Sequence, residues 1–167
     1  MSIPAERDKM TKEEKRQQVI CSCIQQQEHI AFIAKQEMDS AQQQSNDYGA
    51  NVDRYDSYRT KMMRARDMYA KQLSNANATL RVLQEMQRMP SPAVAEQGAI
   101  VVTDKQRYLL GIGLGKVLVP YEAAEDQPQE VVYAVSAQTP VYIALKGHRP
   151  GDSLTIAGQQ QTIQEIY

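Results

Sequence analysis

Small and apolar residues recur every three or four positions through the first part of the chain. Residues 10–44 contain neither Gly nor Pro, so nothing in this stretch interrupts a helix. The recurring positions are Ile20, Cys23 and Ile24, Gln27, Ile30 and Ala31, Ala34, Met38 and Ala41. A stripe this narrow predicts a long helix that packs along a helix–helix seam rather than over a broad core.

A second stripe runs from residue 52 to about residue 89, where Pro90 and Pro92 end the helix. Its most regular positions are seven apart, a spacing that favours coiled-coil packing. They are Tyr55, Met62, Tyr69, Ala76 and Leu83. Residues 45–51 hold Gly49, the only Gly of the first 97 residues, and predict a turn. We therefore expect an antiparallel hairpin in residues 1–90, about 50 Å long, with its tip near 45–51.

The pattern changes to short β-type runs after a Pro-rich linker at residues 91–97. The predicted strands are 99–102, 108–110, 116–119, 131–135, 153–156 and 162–166. One short helix interrupts them at about Pro140–Lys146, because Pro suits a first helical position and Gly147 suits a C-terminal cap. Residues 98–167 are thus expected to form a small domain with a mostly antiparallel sheet, and the whole chain belongs to the α+β class.

Charge and cysteine content narrow the possible functions. The net charge of −1 over 167 residues gives no overall footprint for nucleic acid or for an anionic membrane. No apolar run approaches the length of a membrane span, and the N-terminal residues have no signal-peptide pattern, so we expect a cytoplasmic protein that does not enter a membrane. Cys21 and Cys23 fall about 200° apart on the predicted helix. With only two His in the chain, they predict ordinary helix residues and no metal site.

The segment from Val135 to Asp152 has a distinctive order of parts. A β-run ends in Ser136, a helix opens at Thr139-Pro140 and continues through Ala144-Leu145, and Gly147 and Gly151-Asp152 follow. This segment resembles the C-terminal domain of the bacterial transcript-cleavage factors of the GreA/GreB family, whose fold is FKBP-like. That family also carries its helical hairpin first and its FKBP-like domain second.

The resemblance implies a transcription regulator that binds RNA polymerase. In the family, the hairpin enters the secondary channel of the polymerase, where contact with RNA or DNA is indirect, and the C-terminal domain docks on the rim. The corresponding docking candidates in this chain are Ser136, Thr139, Pro140, Lys146 and Gly147.

The resemblance also bears on catalysis, because two acidic residues at the family's hairpin tip help to hold a catalytic Mg²⁺. Aligning Tyr55 with the family's tyrosine places Tyr48 and Asn51 at the acidic positions. It places Asp53 or Arg54 near the family's non-catalytic acid, and Asp47 lies one residue away. The pair of carboxylates that Mg²⁺ would require is therefore missing. We expect no efficient transcript cleavage, no enzymatic activity of the chain itself, and no cofactor beyond a Mg²⁺ shared with the polymerase.

Two groups of charged residues near the turn have two interpretations each. Asp47, Asp53 and Asp56 either touch a metal or the polymerase active centre, or serve as turn and helix-start residues. Arg54, Arg59 and Arg64 belong to a locally basic stretch that either faces nucleic acid or is a solvated helix face.

Two enzymatic interpretations are rejected from the sequence. Residues 111–116 are rich in Gly but lack the spacing of a phosphate-binding loop, and a β-run follows them. Prolyl isomerase activity requires an aromatic-lined pocket, whereas the chain has no Trp and a single Phe, Phe32, in the hairpin.

Two alternative functions remain open at this point. The chain could be a coiled-coil interaction module without a polymerase role, either monomeric or a coiled-coil dimer. It could also be a true cleavage factor that uses Asp47 with Asp53.

Overall fold

A computed structural model of the chain describes residues 11–47, 56–120 and 130–167. These ranges contain two long helices, a six-stranded sheet and one short helix, which confirms the α+β class. No helix in the described ranges is long and apolar enough to cross a membrane. Most of the predicted tip lies outside the described residues, because residues 48–55 are not described, and neither is the 121–129 connection.

The first helix, α1, spans Lys12–Asp47, and the second, α2, spans Asp56–Arg88. A capping box fixes the start of α1: the Thr11 hydroxyl accepts from the Glu14 amide at 3.1 Å, and the Glu14 carboxylate accepts from the Thr11 amide at 3.2 Å. At the same end of the hairpin, α2 stops just before Pro90, which cannot continue a helix.

The two helices pack antiparallel, as their contacts show. Arg16 reaches the carbonyl of Met86 near one end, and Arg66 donates to Gln42 at 2.6 Å near the other. The predicted seam is confirmed at its small and branched positions: Ala34, Ala41, Ala76 and Leu83 are all at most 6% exposed. Met62 and Tyr69 are half-buried, and Tyr55 lies outside the described residues.

One predicted seam position is wrong. Ile30 is 46% exposed, and its neighbour Ala31 is the half-buried residue at this turn of α1. The helical step places Ile30 beside the seam rather than in it, and the small Ala31 allows the helices to approach closely.

The sheet is built from six strands in the order β3-β4-β2-β1-β6-β5. All neighbouring strands are antiparallel except β2 and β4, which are parallel and pair Tyr108 with Tyr133. The mostly antiparallel sheet that the sequence predicts is thus confirmed. The strands are β1 Ile100–Thr103, β2 Arg107–Leu110, β3 Gly115–Val119, β4 Glu130–Val135, β5 Ser153–Ile156 and β6 Gln159–Ile166. The third helix, α3, spans Pro140–Leu145 between β4 and β5.

Both faces of the central strands are buried. Val101, Tyr108 and Leu110 belong to a core cluster that includes Tyr142 and Leu145 of α3. The intervening Ile100 and Leu109 are also fully buried. Since successive strand residues point to opposite faces, the sheet is covered on both sides.

The described residues form two compact units. One consists of the described residues within 1–23 and 83–167, and the other consists of the described residues within 24–82. Both long helices therefore contribute to both units, and the base of the hairpin belongs to the same unit as the sheet.

Arg16 is central to the unit that contains the sheet. Its side chain is fully buried and donates to three backbone carbonyls: Met86 at 2.6 Å, Met89 at 2.8 Å and Gly98 at 3.0 Å. The first two carbonyls lie in and just after the last turn of α2, where backbone acceptors have no partners within the helix and a cation is favourable. Burial lowers the pKa of the guanidinium from its ordinary value, and the three acceptors compensate for the lost water.

Candidate partner-binding surface

The strongest candidate surface lies on α3, in the segment that carries the family resemblance. Thr139 caps the helix: its hydroxyl accepts from the amide of Tyr142 at 3.3 Å and donates to the carbonyl of Ser136 at 2.8 Å. Pro140 occupies the first turn, where its missing N–H costs nothing. Gly147 follows the helix with a φ of +83°, a conformation that favours Gly.

The two faces of α3 differ sharply in burial. Tyr142 and Leu145 are at most 6% exposed and pack into the core of the sheet, whereas Ile143 is 65% exposed. Pro140 is also exposed and lies about 60° from Ile143 around the helix axis, and Gly147, just beyond the helix, is exposed as well. The result is a small outward surface with an apolar centre.

This surface is held firmly by backbone hydrogen bonds. The Gly147 amide donates to the Ala95 carbonyl at 2.7 Å, and the Ala95 amide donates to the His148 carbonyl at 2.9 Å. The end of α3 is thereby tied to the linker that follows the hairpin. A surface fixed in this way can bind a partner with little further loss of conformational entropy.

Positive charge lies beside the apolar centre. Lys146 and Arg149 are exposed on either side of His148. The adjacent turn is closed by Asp152, whose carboxylate accepts from the Arg149 amide at 2.9 Å and lies 3.3 Å from the Nδ1 atom of His148. The Arg149 amide, and then His148, lower the pKa of the Asp152 carboxyl. The Asp152 carboxylate is therefore engaged in hydrogen bonds within the turn, and the side chains of Lys146 and Arg149 remain available to an acidic partner.

The structure thus brings the five predicted docking residues into one continuous segment, from the end of β4 to the residue after α3. Ser136 and Thr139 are half-buried and shape the helix start, while Pro140, Lys146 and Gly147 are exposed. Sequence reasoning missed Ile143, the most exposed large apolar side chain in the described residues. Two features of the sequence could have identified Ile143 as an outward residue. It lies three residues after Pro140, on the same side of the helix, and it lies on a different side from Tyr142 and Leu145.

The hairpin-tip candidates are only partly described. Asp47 is exposed and is the last residue of α1, and Asp56 is the first residue of α2. Tyr48, Asn51 and Asp53 lie outside the described residues, so their predicted roles remain predictions.

The predicted nucleic-acid-facing residues do not form one stripe. Arg54 lies outside the described residues, and Arg59 and Arg64 are exposed but about 140° apart around α2. Arg66 is engaged with Gln42 and with Asp67, at 2.6 and 2.7 Å.

An open polar cleft of about 430 Å³ lies near the β1–β2 turn, but it offers no clear chemistry. Its main charge, Arg107, lies 2.6 Å from the carboxylate of the buried Glu130, in ion-pair contact without good hydrogen-bond alignment at Nε. The described ranges contain no group of three or more His, Cys, Asp or Glu residues that could hold a metal ion. Burial raises the pKa of the Cys23 thiol to about 12, so this residue is not a nucleophile at neutral pH.

Comparison with known proteins adds no family assignment: no family model matches the chain, and no curated protein or solved structure shows significant similarity to it.

Proposed function

We propose that this protein is an RNA polymerase-binding transcription regulator of GreA/GreB-like build, which acts at the secondary channel without efficient transcript cleavage. The observation that carries the proposal is the outward α3 surface centred on Ile143. It lies within the segment whose residues resemble the docking domain of that family. The long antiparallel hairpin that precedes the sheet supports the same proposal.

The division of roles follows from the chemistry of each part. The α3 surface presents an apolar centre beside Lys146 and Arg149, which suits an acidic protein rim with an apolar pocket. The hairpin would reach into the channel and act by occupancy, with the Mg²⁺ held by the polymerase's own ligands. The chain itself would then be no enzyme.

A binding experiment tests the docking role. Ile143→Asp should abolish retention of bacterial RNA polymerase core enzyme on the immobilised full-length chain, because it places a charge at the centre of the contact. Leu118→Asp is the matched control, since Leu118 is also exposed, at 40%, but lies on β3. Equal loss in both variants, or no retention by the unmodified chain, would contradict the proposal.

A coiled-coil interaction module without a polymerase role is the second candidate. The observation that favours it is the set of exposed apolar side chains on the hairpin: Ile30, Phe32, Ile33 and Met68 are 43–59% exposed. Retention of other proteins, but not of polymerase, would select this alternative.

A true cleavage factor that uses Asp47 with Asp53 is the weaker alternative. Cleavage of backtracked RNA that is lost in Asp47→Ala would establish it. If the hairpin reaches the active centre without a carboxylate pair, the combined changes Tyr48→Asp and Asn51→Glu should increase cleavage.

A further inference from the structure

Phe32 is the most exposed large apolar side chain in the described part of the hairpin. It is 59% exposed and lies about 160–180° around α1 from the seam positions Ala34 and Ala41. An aromatic ring in this position exposes apolar surface to water. Because it points away from the seam, it does not contribute to the packing of α1 against α2. Two exposed acids, Glu28 and Asp39, flank Phe32 on the same side of α1, at four residues before it and seven after it.

The same compact unit carries a groove that an aromatic side chain could fill. The groove measures about 380 Å³ and is lined mainly by one side of α2. Its lining combines apolar residues with the polar Ser74 and Asn77, and Arg81 lies at one end. The lining residues are Met38, Ala70, Leu73, Ser74, Asn77, Ala78 and Arg81.

Phe32 and this groove lie at the same height along the hairpin. Gln42 contacts Arg66, and Met38 lines the groove together with Ala70. In each of these pairs the two residue numbers add up to 108. A residue of α1 and a residue of α2 therefore lie at the same height when their numbers add up to about 108. Phe32 is therefore level with about residue 76, the middle of the groove. A two-fold axis parallel to the hairpin preserves height, so it can place Phe32 of one copy opposite the groove of another.

The charges match under the same rotation. Glu28 would come level with Arg81 of the second copy, and Asp39 would come level with Lys71, and all four side chains are exposed. The described part of α1 from residue 24 onward carries four acids and one Lys, whereas residues 56–82 of α2 carry six cations and two acids. Placing α1 of each copy against α2 of the other therefore brings together opposite charges, whereas placing α1 against α1 would not.

We propose that the hairpin forms a two-fold dimer in which Phe32 of each copy fills the α2 groove of the other, flanked by Glu28–Arg81 and Asp39–Lys71 pairs. The partner is a second copy of this chain. The proposal goes beyond the proposed polymerase binding and does not depend on it. Ile143→Asp, which should lose polymerase, is expected to keep the dimer.

Sedimentation velocity of the full-length chain over a range of concentrations tests the dimer. The unmodified chain should show a reversible monomer–dimer equilibrium. Phe32→Ala should weaken dimerisation at least about a hundred-fold, since two aromatic side chains lose their burial per dimer. The matched control is Ile33→Ala, because Ile33 is also exposed, at 43%, but lies about 100° further around α1. Ala78→Phe should have the same effect as Phe32→Ala, since it fills the groove from within its own chain.

Charge exchange tests the orientation of the two copies. Glu28→Arg and Arg81→Glu should each weaken the dimer roughly threefold to tenfold, because each exposed pair occurs twice. The double variant should recover most of that loss. Circular dichroism spectra of every variant establish that the helices are retained.

Several outcomes would overturn the proposal. These are a chain that stays monomeric at all concentrations, equal effects of Phe32→Ala and Ile33→Ala, or growth into open-ended assemblies. A monomer whose polymerase binding falls in Phe32→Ala would assign this surface to the polymerase instead.

Discussion

Arg16 shows how one residue can determine the arrangement of a whole compact unit. It lies on α1, yet its guanidinium binds the end of α2 and the segment leading into β1. Five donors in a rigid planar group allow it to serve three separate carbonyls, which a Lys side chain cannot do with the same geometry. No local pattern in the sequence marks this role, because carbonyl acceptors are present at every residue.

We predict that Arg16→Met lowers the free energy of unfolding by about 3 kcal/mol, because the carbonyls of Met89 and Gly98 lose the guanidinium donors that they have in the folded chain. Arg16→Lys should retain part of the stability. Urea unfolding followed by circular dichroism measures both. Arg88→Met is the control, since Arg88 is exposed on the last turn of α2, and a comparable loss there would contradict the role given to Arg16.

The two cysteines should differ in reactivity although they are two residues apart. Cys23 is fully buried with its pKa raised to about 12, so only about one thiol in ten thousand is ionised at pH 8. Cys21 is half-buried, and its sulfur accepts from Gln87 at 3.5 Å. A maleimide at pH 8 should label Cys21 first and Cys23 only on unfolding. Mass spectrometry of labelled peptides would contradict this if Cys23 reacted as fast as Cys21.

The elements were the most predictable part of the fold, for physical reasons that differ between helices and strands. The capping residues and Pro90 determine the helix ends, so α1 and α2 begin and end within about three residues of their predicted positions wherever they are described. Short apolar runs located all six strands. Their order in the sheet, including the parallel β2–β4 pair, depends on long-range packing that no local pattern contains.

The seam of the hairpin should carry much of its stability. Leu83→Ala should cost about 2–5 kcal/mol, because Leu83 is fully buried and the truncation leaves a cavity. Met68→Ala is the control at an exposed position of the same helix and should cost less than 1 kcal/mol. Thermal unfolding of the two variants decides between the seam described here and a hairpin packed on another face.

The turn after α3 should be sensitive to acid. The pKa of the Asp152 carboxyl is lowered by the Arg149 amide and by His148, so the carboxylate stabilises the folded chain above its ordinary pKa of about 4. That contribution is lost as the pH falls through the lower folded-state value. The melting temperatures of the unmodified chain and Asp152→Asn should therefore differ at pH 7 and converge below pH 4. A constant difference across this range would show that the charge of Asp152 is unimportant.

At the scale of the whole molecule, a long helical hairpin followed along the chain by a mostly antiparallel sheet with one short helix could be predicted from the sequence. The short helix that begins at Pro140 and is followed by Gly147 is confirmed, whereas the docking role of the residues from Ser136 to Gly147 stays a prediction. Ile143 was missed because an apolar residue in a six-residue helix is normally assigned to the core. The tip residues other than Asp47 and Asp56 lie outside the described ranges, so their chemistry depends on functional measurements.

Competition at the polymerase secondary channel tests the central claim most directly. The readout is release of the labelled 3′ fragment from backtracked bacterial transcription complexes, stimulated by a cleavage factor of the GreB type. Because the hairpin is proposed to occupy the channel without a carboxylate pair, the unmodified chain should inhibit this release in a saturable manner and produce no fragment alone. Ile143→Asp should not inhibit, and Leu118→Asp should inhibit normally. Undiminished release at a saturating concentration of the chain, or strong release by the chain alone that Asp47→Ala abolishes, would contradict the account.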